Sequence, residues 1–461
     1  MNIQFIKDEE ISVAFFPDSK RFFVINDGGY ELIKAISTNE NSDLIMNKFK
    51  LDNLQYDEYR RKIEEYCTPV TWCQEHFEVP DGEVLNRLVI NLTNCCNLRC
   101  KYCYANGGHY HSDEAIMSKK MIDDIFIKFY GKFNIIRSIQ LFGGEPLMNI
   151  DIIEYICQYV KIRDLEKGHS THIGIVTNGT LISDRFIELV KNYNISVTIS
   201  YDGHPLVNDL LRIDAYGNGT SSKILENAKR LKNITGQPNT IEVTYTQFHI
   251  DNNITIMDVL KHLNTELPET YIHLVPAGGN IDCEYALTDL SQFTQSVNDI
   301  FDTASDKGDI KHIYSLVQRI IASLVNKYPG SESICDAGSG TLSVSVNGDI
   351  YPCFMFTDFD DICLGNIYDD NIFSSQLYEN NLNKIHNFNL KASNEKCINC
   401  SIKTLCSGCL GLNFLNTGDI FTMDDKNCDM SRKMAENVIL RLAKFTDIAK
   451  KENEEYDKAR E

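Results

Sequence analysis

Cys96, Cys100 and Cys103 stand in the run Cys96-Asn97-Leu98-Arg99-Cys100-Lys101-Tyr102-Cys103, three thiols on one short loop. Thiolates hold both zinc and iron–sulfur clusters, and the ligand count separates the two. A structural zinc site closes with four ligands. A four-iron cluster is normally held by four cysteines, so a C-x3-C-x2-C triplet would leave one iron open to a small molecule. A zinc loop or three unrelated thiols are the plainer readings, although an aromatic before the last cysteine suits zinc poorly. A second set follows: Cys335, Cys353 after Gly348-Asp349-Ile350-Tyr351-Pro352, then Cys397, Cys400, Cys406 and Cys409 spaced C-x2-C-x5-C-x2-C, and finally Cys428. By themselves, Cys397, Cys400, Cys406 and Cys409 would serve a zinc ribbon equally well.

Two other stretches carry polar chemistry. Gly143-Gly144-Glu145-Pro146 lies 40 residues after Cys103, and its paired glycines let a ligand approach the main chain closely. Alone it would be a plain strand-to-loop turn. Ser200-Tyr201-Asp202-Gly203 is followed by Asp209 and, twelve residues after Ser200, by Arg212. Arginine offers a planar fork suited to a carboxylate. A surface ion pair with Asp209 or Asp214 is the ordinary alternative.

The elements that must position these residues follow from periodicity. Apolar runs at 88–92, 138–142, 172–177, 196–200, 240–245 and 271–275 read as six strands, separated by amphipathic helical stretches. Six β-α units in series predict a parallel sheet curved into a partial (β/α)6 barrel, the fold class being α/β. The cysteine loop, the Gly-Gly-Glu-Pro turn and Ser200 all fall at C-terminal strand ends, where such sheets bind ligands. Residues 1–80 read as a small α+β winged module: apolar runs at 11–16 and 21–25 split by Pro17-Asp18-Ser19-Lys20 form a hairpin, and three short helices follow. The expected domains are 1–80, the barrel at 85–329, a cysteine-rich iron–sulfur domain at 330–430 and a C-terminal helix at 431–461.

Composition narrows the class. The chain has 461 residues, a net charge of −20 and 16 cysteines. Acidity argues against non-specific nucleic-acid binding. No apolar run is long enough to span a bilayer, and residues 1–10 are polar and acidic, so a cytoplasmic protein without a membrane partner is expected. Cysteines in that setting point to metal or redox chemistry rather than disulfides.

Together the motifs resemble the radical S-adenosylmethionine (SAM) enzymes with a SPASM extension, a likeness running from Leu85 to Asp429, about three quarters of the chain. The resemblance implies SAM and three four-iron clusters, one SAM-binding and two auxiliary. Cys96, Cys100 and Cys103 would bind the catalytic cluster. Gly143 and Gly144 would meet the SAM amino group, with Glu145 holding the turn or accepting from that ammonium. Tyr102 would pack on the adenine, Ser200 touch the ribose, Arg212 bind the carboxylate, and Val275 supply an apolar adenine contact. By the family's interleaved pattern Cys397, Cys400, Cys406 and Cys428 complete one auxiliary cluster, and Cys335, Cys353 and Cys409 hold the other. The sulfatase maturases have a further cysteine shortly before the one matching Cys335, and residues 327–334 contain none. Cys363, Cys283 or a substrate thiolate could fill that place. Cys67, Cys73, Cys95 and Cys157 have no assigned partner and default to small buried hydrophobes.

The N-terminal pattern resembles the PqqD-like precursor-peptide recognition module. The expected activity is therefore maturation of a ribosomally made precursor, leader and core, by a thioether cross-link of the sactipeptide or ranthipeptide type. The leader would add as a strand near residues 21–25, and a reductase, flavodoxin or ferredoxin would donate electrons. Alternatives are formylglycine formation as in anaerobic sulfatase maturases, carbon–carbon cross-linking, peptide decarboxylation, or a non-catalytic iron–sulfur electron carrier.

Overall fold

The computed structural model describes residues 1–69, 84–110, 112–279, 282–307, 310, 312–327 and 330–458. The N-terminal hairpin gains a strand that sequence periodicity did not reveal. Strands β1 (Gln4–Lys7), β2 (Ser12–Phe16) and β3 (Arg21–Ile25) form an antiparallel sheet in that order, leaving β3 as one edge. Both faces of β2 are covered, which is why Val13, Ala14, Phe15 and Phe16 are all buried. Ala14 and Phe16 pack with helices Asp27–Ser37, Ser42–Phe49 and Asn53–Cys67. Val13 and Phe15 face the main core instead, which Met434 and Val438 of the long helix Asp425–Lys458 also enter. Asp52 and Gln55 form a reciprocal cap on helix Asn53–Cys67, satisfying two donors that a helix start leaves open.

Strands β4 (Val84–Asn91), β5 (Ile135–Phe142), β6 (His172–Thr177), β7 (Ser196–Ser200), β8 (Thr240–Tyr245) and β9 (Tyr271–Pro276) run parallel and neighbour one another in chain order. These are the six expected strands of the partial barrel. The sheet does not stop at β4. From the cysteine-rich region β10 (Thr341–Val344) pairs parallel to β4, and β11 (Asp349–Tyr351) and β12 (Gly365–Asn366) continue antiparallel, giving a mixed sheet of nine strands among the described residues.

Alternation sorts the two faces. Leu88, Ile90, Ile139, Leu141, Ile175, Val197, Ile199, Ile241, Val243, Ile272 and Leu274 are buried in one core, and the crossover helices cover them with residues such as Ile125, Phe129, Ile153 and Ile156. The opposite face is polar. Registered neighbours Ser200 and Glu242, and Thr244 and Val275, share it. A parallel sheet covered by helices usually reads apolar on both sides. A polar inner face therefore marks the side that faces the site.

The closing helix spans Asp425–Lys458, so it begins within the region expected to belong to the cysteine-rich domain and not at residue 431. The Lys444 Nζ ties it to the N-terminal module through Asp8 at 2.8 Å and Glu10 at 2.7 Å.

Candidate active site and auxiliary thiol groups

The cysteine loop leaves β4 and is stapled on both sides. Arg99 N–H donates to the Ile213 carbonyl at 2.7 Å, and Lys101 N–H to the Leu211 carbonyl at 3.0 Å. Asn97 reaches Thr180 at 2.9 Å, while Asn178 Nδ2 donates to Asn97 Oδ1 at 2.9 Å and reaches Cys96 Sγ at 3.9 Å. Leu98 N–H also points at Cys96 Sγ, at 3.4 Å. Burial first, and mutual repulsion with Cys100 and Cys103 among lesser causes, push the Cys96 thiol up to about 12. The three half-buried thiols thus act on one another from one short loop, with N–H groups aimed at Cys96. That is the chemistry a cluster's thiolates require, since coordination removes their protons.

Gly143 and Gly144 run against the start of that loop. Gly144 N–H donates to Thr93 O at 2.7 Å and Glu145 N–H to Cys95 O at 2.9 Å. Gly143 has a φ of +127°, and a Cβ there would strike the Thr93 carbonyl; one on Gly144 would strike the Cys95 carbonyl. The two glycines are thus needed to bring the turn and the loop together. Glu145 is fully buried, and both oxygens are engaged: Oε1 accepts from Leu147 N–H at 3.0 Å and Thr177 Oγ1 at 2.7 Å, Oε2 from Asn178 N–H at 2.8 Å. These bonds tie the Gly-Gly-Glu-Pro turn to the end of β6.

Arg212 is not a surface ion-pair residue. It is 7% exposed. Asp209 is taken up by Ser221, and Asp214 by Tyr216 and Asn218. Arg212 Nη1 instead donates to the Tyr102 hydroxyl at 2.7 Å, and that hydroxyl donates to Asp202, whose oxygens lie at 2.7 and 2.8 Å. Burial works against the Arg212 charge, but Tyr102, Cys100 and Asp202 outweigh it. The Nε of Arg212 is buried without a partner. An unpaired buried donor costs free energy, so this one fits an anionic ligand beside Cys100.

Sequence reasoning quoted Asp202 without giving it a role, and missed Glu242 and His249. Asp202 is fully buried, and its carboxyl is pushed up to about 6 by burial, against the pull of Arg212 and Tyr102. His249 is also buried; its Nδ1 accepts from Thr246 N–H at 3.0 Å, so Nε2 carries the proton toward the Asp202 carbonyl at 2.9 Å. Burial lowers this imidazole to about 4, so it is neutral at pH 7. Glu242 sits on β8 on the Ser200 face, and burial raises its carboxyl while Arg212 pulls it down. A charged residue amid the strand Thr-Ile-Glu-Val-Thr-Tyr was the available signal. Ser200 and Val275 are half-buried on the same inner face, Val275 lying outside the packed cores.

The later cysteines divide into two groups. Cys397, Cys400, Cys406 and Cys428 act electrostatically on one another. Cys335 and Cys353 act instead with Cys409. These pairings set Cys409 with Cys335 and Cys353 and apart from Cys397 and Cys406. Among the described residues no three His, Cys, Asp or Glu side chains close around a single metal ion. Cys363 turns to the Gly365 carbonyl at 3.7 Å and to Tyr351. Cys283 lies by Tyr285, which meets the Tyr102 ring at 6.3 Å, at the catalytic end. Cys363 packs against the same small core as Cys335 and Cys353. Cys95 and Cys157 are buried, Cys67 packs with the N-terminal core, and Cys73 lies outside the described residues.

Residues 90–263 match the radical SAM superfamily, and residues 335–401 match the SPASM iron–sulfur cluster-binding domain. A radical SAM cyclopropyl synthase, TigE of Paramaledivibacter caminithermalis, is 26% identical over 438 residues, covering 89% of this chain and 85% of that protein. A cysteine-type anaerobic sulfatase-maturating enzyme of Clostridium novyi is 26% identical over 337 residues, covering 70% of this chain and 87% of that one. The fold is shared with Streptococcus suis SuiB, solved with its precursor peptide SuiA, at a TM-score of 0.53 and 16% identity over 93% of this chain and 98% of SuiB. No helix among the described residues is long and apolar enough to cross a membrane.

Proposed function

We propose that this chain, which joins a radical SAM domain to an iron–sulfur SPASM domain, oxidises a residue within a peptide whose leader is held by the N-terminal module. The observation that carries the reading is the buried Arg212, its Nε unpartnered, beside Cys100 at the barrel mouth. When bound, SAM beside a reduced four-iron cluster supplies a 5′-deoxyadenosyl radical that removes a hydrogen atom from the peptide.

The chain's own residues set the geometry for that event. Arg212 holds the SAM carboxylate, and Tyr102, fixed between Arg212 and Asp202, presents its ring to the adenine. Glu145 locks the Gly143-Gly144 turn so that its backbone meets the amino group. Ser200 and Val275 complete the ribose and adenine contacts from the polar inner face. His249 stays neutral and donates from Nε2 to the Asp202 main chain, which keeps Asp202 under Tyr102. A precursor peptide is named for SuiB and sulfatase maturation for the Clostridium novyi relative, and a polypeptide substrate is inferred here.

The product follows from what meets the substrate radical. The cyclopropyl synthase and the sulfatase maturase favour ring closure or formylglycine formation. A thioether is the second reading. One observation favours it: residues 327–334 hold no cysteine where the sulfatase maturases have one, a place that a substrate thiolate would fill.

The test is anaerobic incubation of the reconstituted enzyme with SAM and a cysteine-containing precursor. Formation of 5′-deoxyadenosine with loss of two hydrogens from the core peptide supports peptide oxidation. If the precursor cysteine still alkylates fully after turnover, the thioether reading is wrong. An enzyme that forms no 5′-deoxyadenosine would overturn the whole reading.

A further inference from the structure

Lys391 is 6% exposed within the cysteine-rich region, and its Nζ makes three bonds to main-chain carbonyls: Ser331 at 3.0 Å, Lys403 at 2.8 Å and Cys406 at 2.7 Å. The charges that favour its ammonium are those of Cys406, Cys397 and Cys400. Carbonyl oxygens orient an ammonium but carry no net charge, so burying one here costs free energy unless an anion lies near. Arg432 adds a second cation, with its guanidinium reaching Cys400 as well as Asp429.

A third cation comes from the other end of the sequence. Residues 17–20 form the turn between β2 and β3, and this turn lies on the loop 400–406: Thr404 Oγ1 donates to the Pro17 carbonyl at 3.0 Å. Lys20, at the end of the turn, is 3% exposed, donates to Ser323 Oγ at 2.6 Å and is repelled by Lys391. The two ammonium groups repel each other across the seam of the docked module, and an anion close to both would offset that repulsion. The other thiol group has a different setting. Around Cys335, Cys353 and Cys409 stand Asp336 and Arg87, which pair with each other at 3.4 Å.

We propose that Lys391 and Lys20 form a cationic socket for the auxiliary cluster of Cys397, Cys400, Cys406 and Cys428, so that the charge of that cluster and the seating of the N-terminal module are one coupled equilibrium. The inference rests on those four thiols holding an iron–sulfur cluster. A four-iron cluster on four thiolates is a dianion that becomes a trianion on one-electron reduction, and its potential follows the charges and hydrogen bonds around it. Lys20 therefore stabilises the reduced form more than the oxidised one. By linkage, reduction tightens the seat of the module by the same factor that seating favours reduction. The module is then part of the cluster's surroundings, not only a handle for a peptide.

The test is a redox titration of the full, cluster-loaded chain, followed by electron paramagnetic resonance with dithionite as one-electron donor. Where the wild-type cluster is half reduced, Lys20→Met should lower its reduced-to-oxidised ratio about tenfold, equal to about 59 mV for one electron. Lys20→Arg, which keeps the charge, should stay within about twofold. Lys391→Met should shift the same signal in the same direction. In the wild type, hydrogen exchange of residues 12–25 should slow on reduction, and in Lys20→Met this difference should vanish. A Lys20→Met potential equal to wild type, or Lys20→Arg shifting as far as Lys20→Met, overturns the proposal. If Lys391→Met does not retain iron, the two Lys20 variants decide alone. The cluster reading fails separately, and visibly, if Cys428→Ala keeps full iron and every cluster signal.

Discussion

Arg212 Nη1 lies 2.7 Å from the Tyr102 hydroxyl, so the residue before the last cysteine of the loop and the arginine beyond β7 form one rigid unit while Nε stays without a partner. A carboxylate arriving at that Nε meets a side chain already ordered, and little conformational entropy is left to lose. Arg212→Ala should weaken SAM binding by about 1.5–3 kcal/mol, the scale of a charge-assisted hydrogen bond. Lysine should rescue only in part, because it lacks the fork. Equilibrium binding of SAM to the cluster-loaded protein reads this out, and an unchanged affinity would remove Arg212 from the ligand site.

The thiols should lose iron in three separate portions. Cys100→Ala should remove roughly a third of the iron and all SAM cleavage, given three four-iron clusters. Cys353→Ala and Cys428→Ala should each remove a different third and leave the SAM-responsive signal in place. Iron analysis with paramagnetic resonance distinguishes the cases. Identical residual spectra from Cys353→Ala and Cys428→Ala would contradict the two-group division.

Asp202 and His249 should offset each other in acid. The carboxyl of Asp202, raised by burial to about 6, contributes stability below its unfolded value that is lost as pH rises toward 6. The imidazole of His249, lowered by burial to about 4, contributes stability above its unfolded value that is lost as pH falls toward 4. Each is worth about 3 kcal/mol at most, with opposite signs across pH 4–6.5. Asp202→Asn should therefore make thermal stability fall more steeply between pH 7 and 5 than in wild type. His249→Gln should make it fall less or rise. Parallel melting curves for all three proteins at both pH values would refute the pairing.

Strand addition at β3 makes a positional prediction. In an antiparallel pair, consecutive residues alternate between facing the partner strand and facing away. Of the neighbours Phe23 and Val24 on the edge strand β3, one N–H therefore points to β2 and the other outward. Proline at the inward position should lower the melting temperature. Proline at the outward position should leave it and weaken leader binding, since only the pairing donor disappears. Two prolines that both leave leader affinity intact would move the leader off this edge.

Local patterns made the barrel and its cysteines legible. The six strands alternate with helices and carry their own period, and Cys96, Cys100 and Cys103 are neighbours in sequence. The contacts that complete the site cross long separations. The Cys95 carbonyl meets Glu145 N–H, His249 meets the Asp202 carbonyl, and Lys20 comes beside Lys391. Periodicity says nothing about such pairs. Strand β1 escaped because Gln4–Lys7 is short and only Ile6 is buried. Strand β10 alternates polar and apolar over Thr341-Leu342-Ser343-Val344, but the run is short, and its pairing with β4 crosses a long separation that periodicity does not encode.

The pairing of β10 with β4 bears on how such enzymes could be recombined. A cut near residue 330 looks like a natural seam in sequence, yet the strand just beyond it is stitched into the catalytic sheet, with Leu342 opposite Leu88 and Val344 opposite Ile90. A chimaera that grafts a foreign cysteine-rich region there must also graft the edge it zips onto, including Arg87, which donates to Thr341 Oγ1 at 3.1 Å. Interchangeable parts in this architecture are defined by hydrogen-bonded edges, not by linkers.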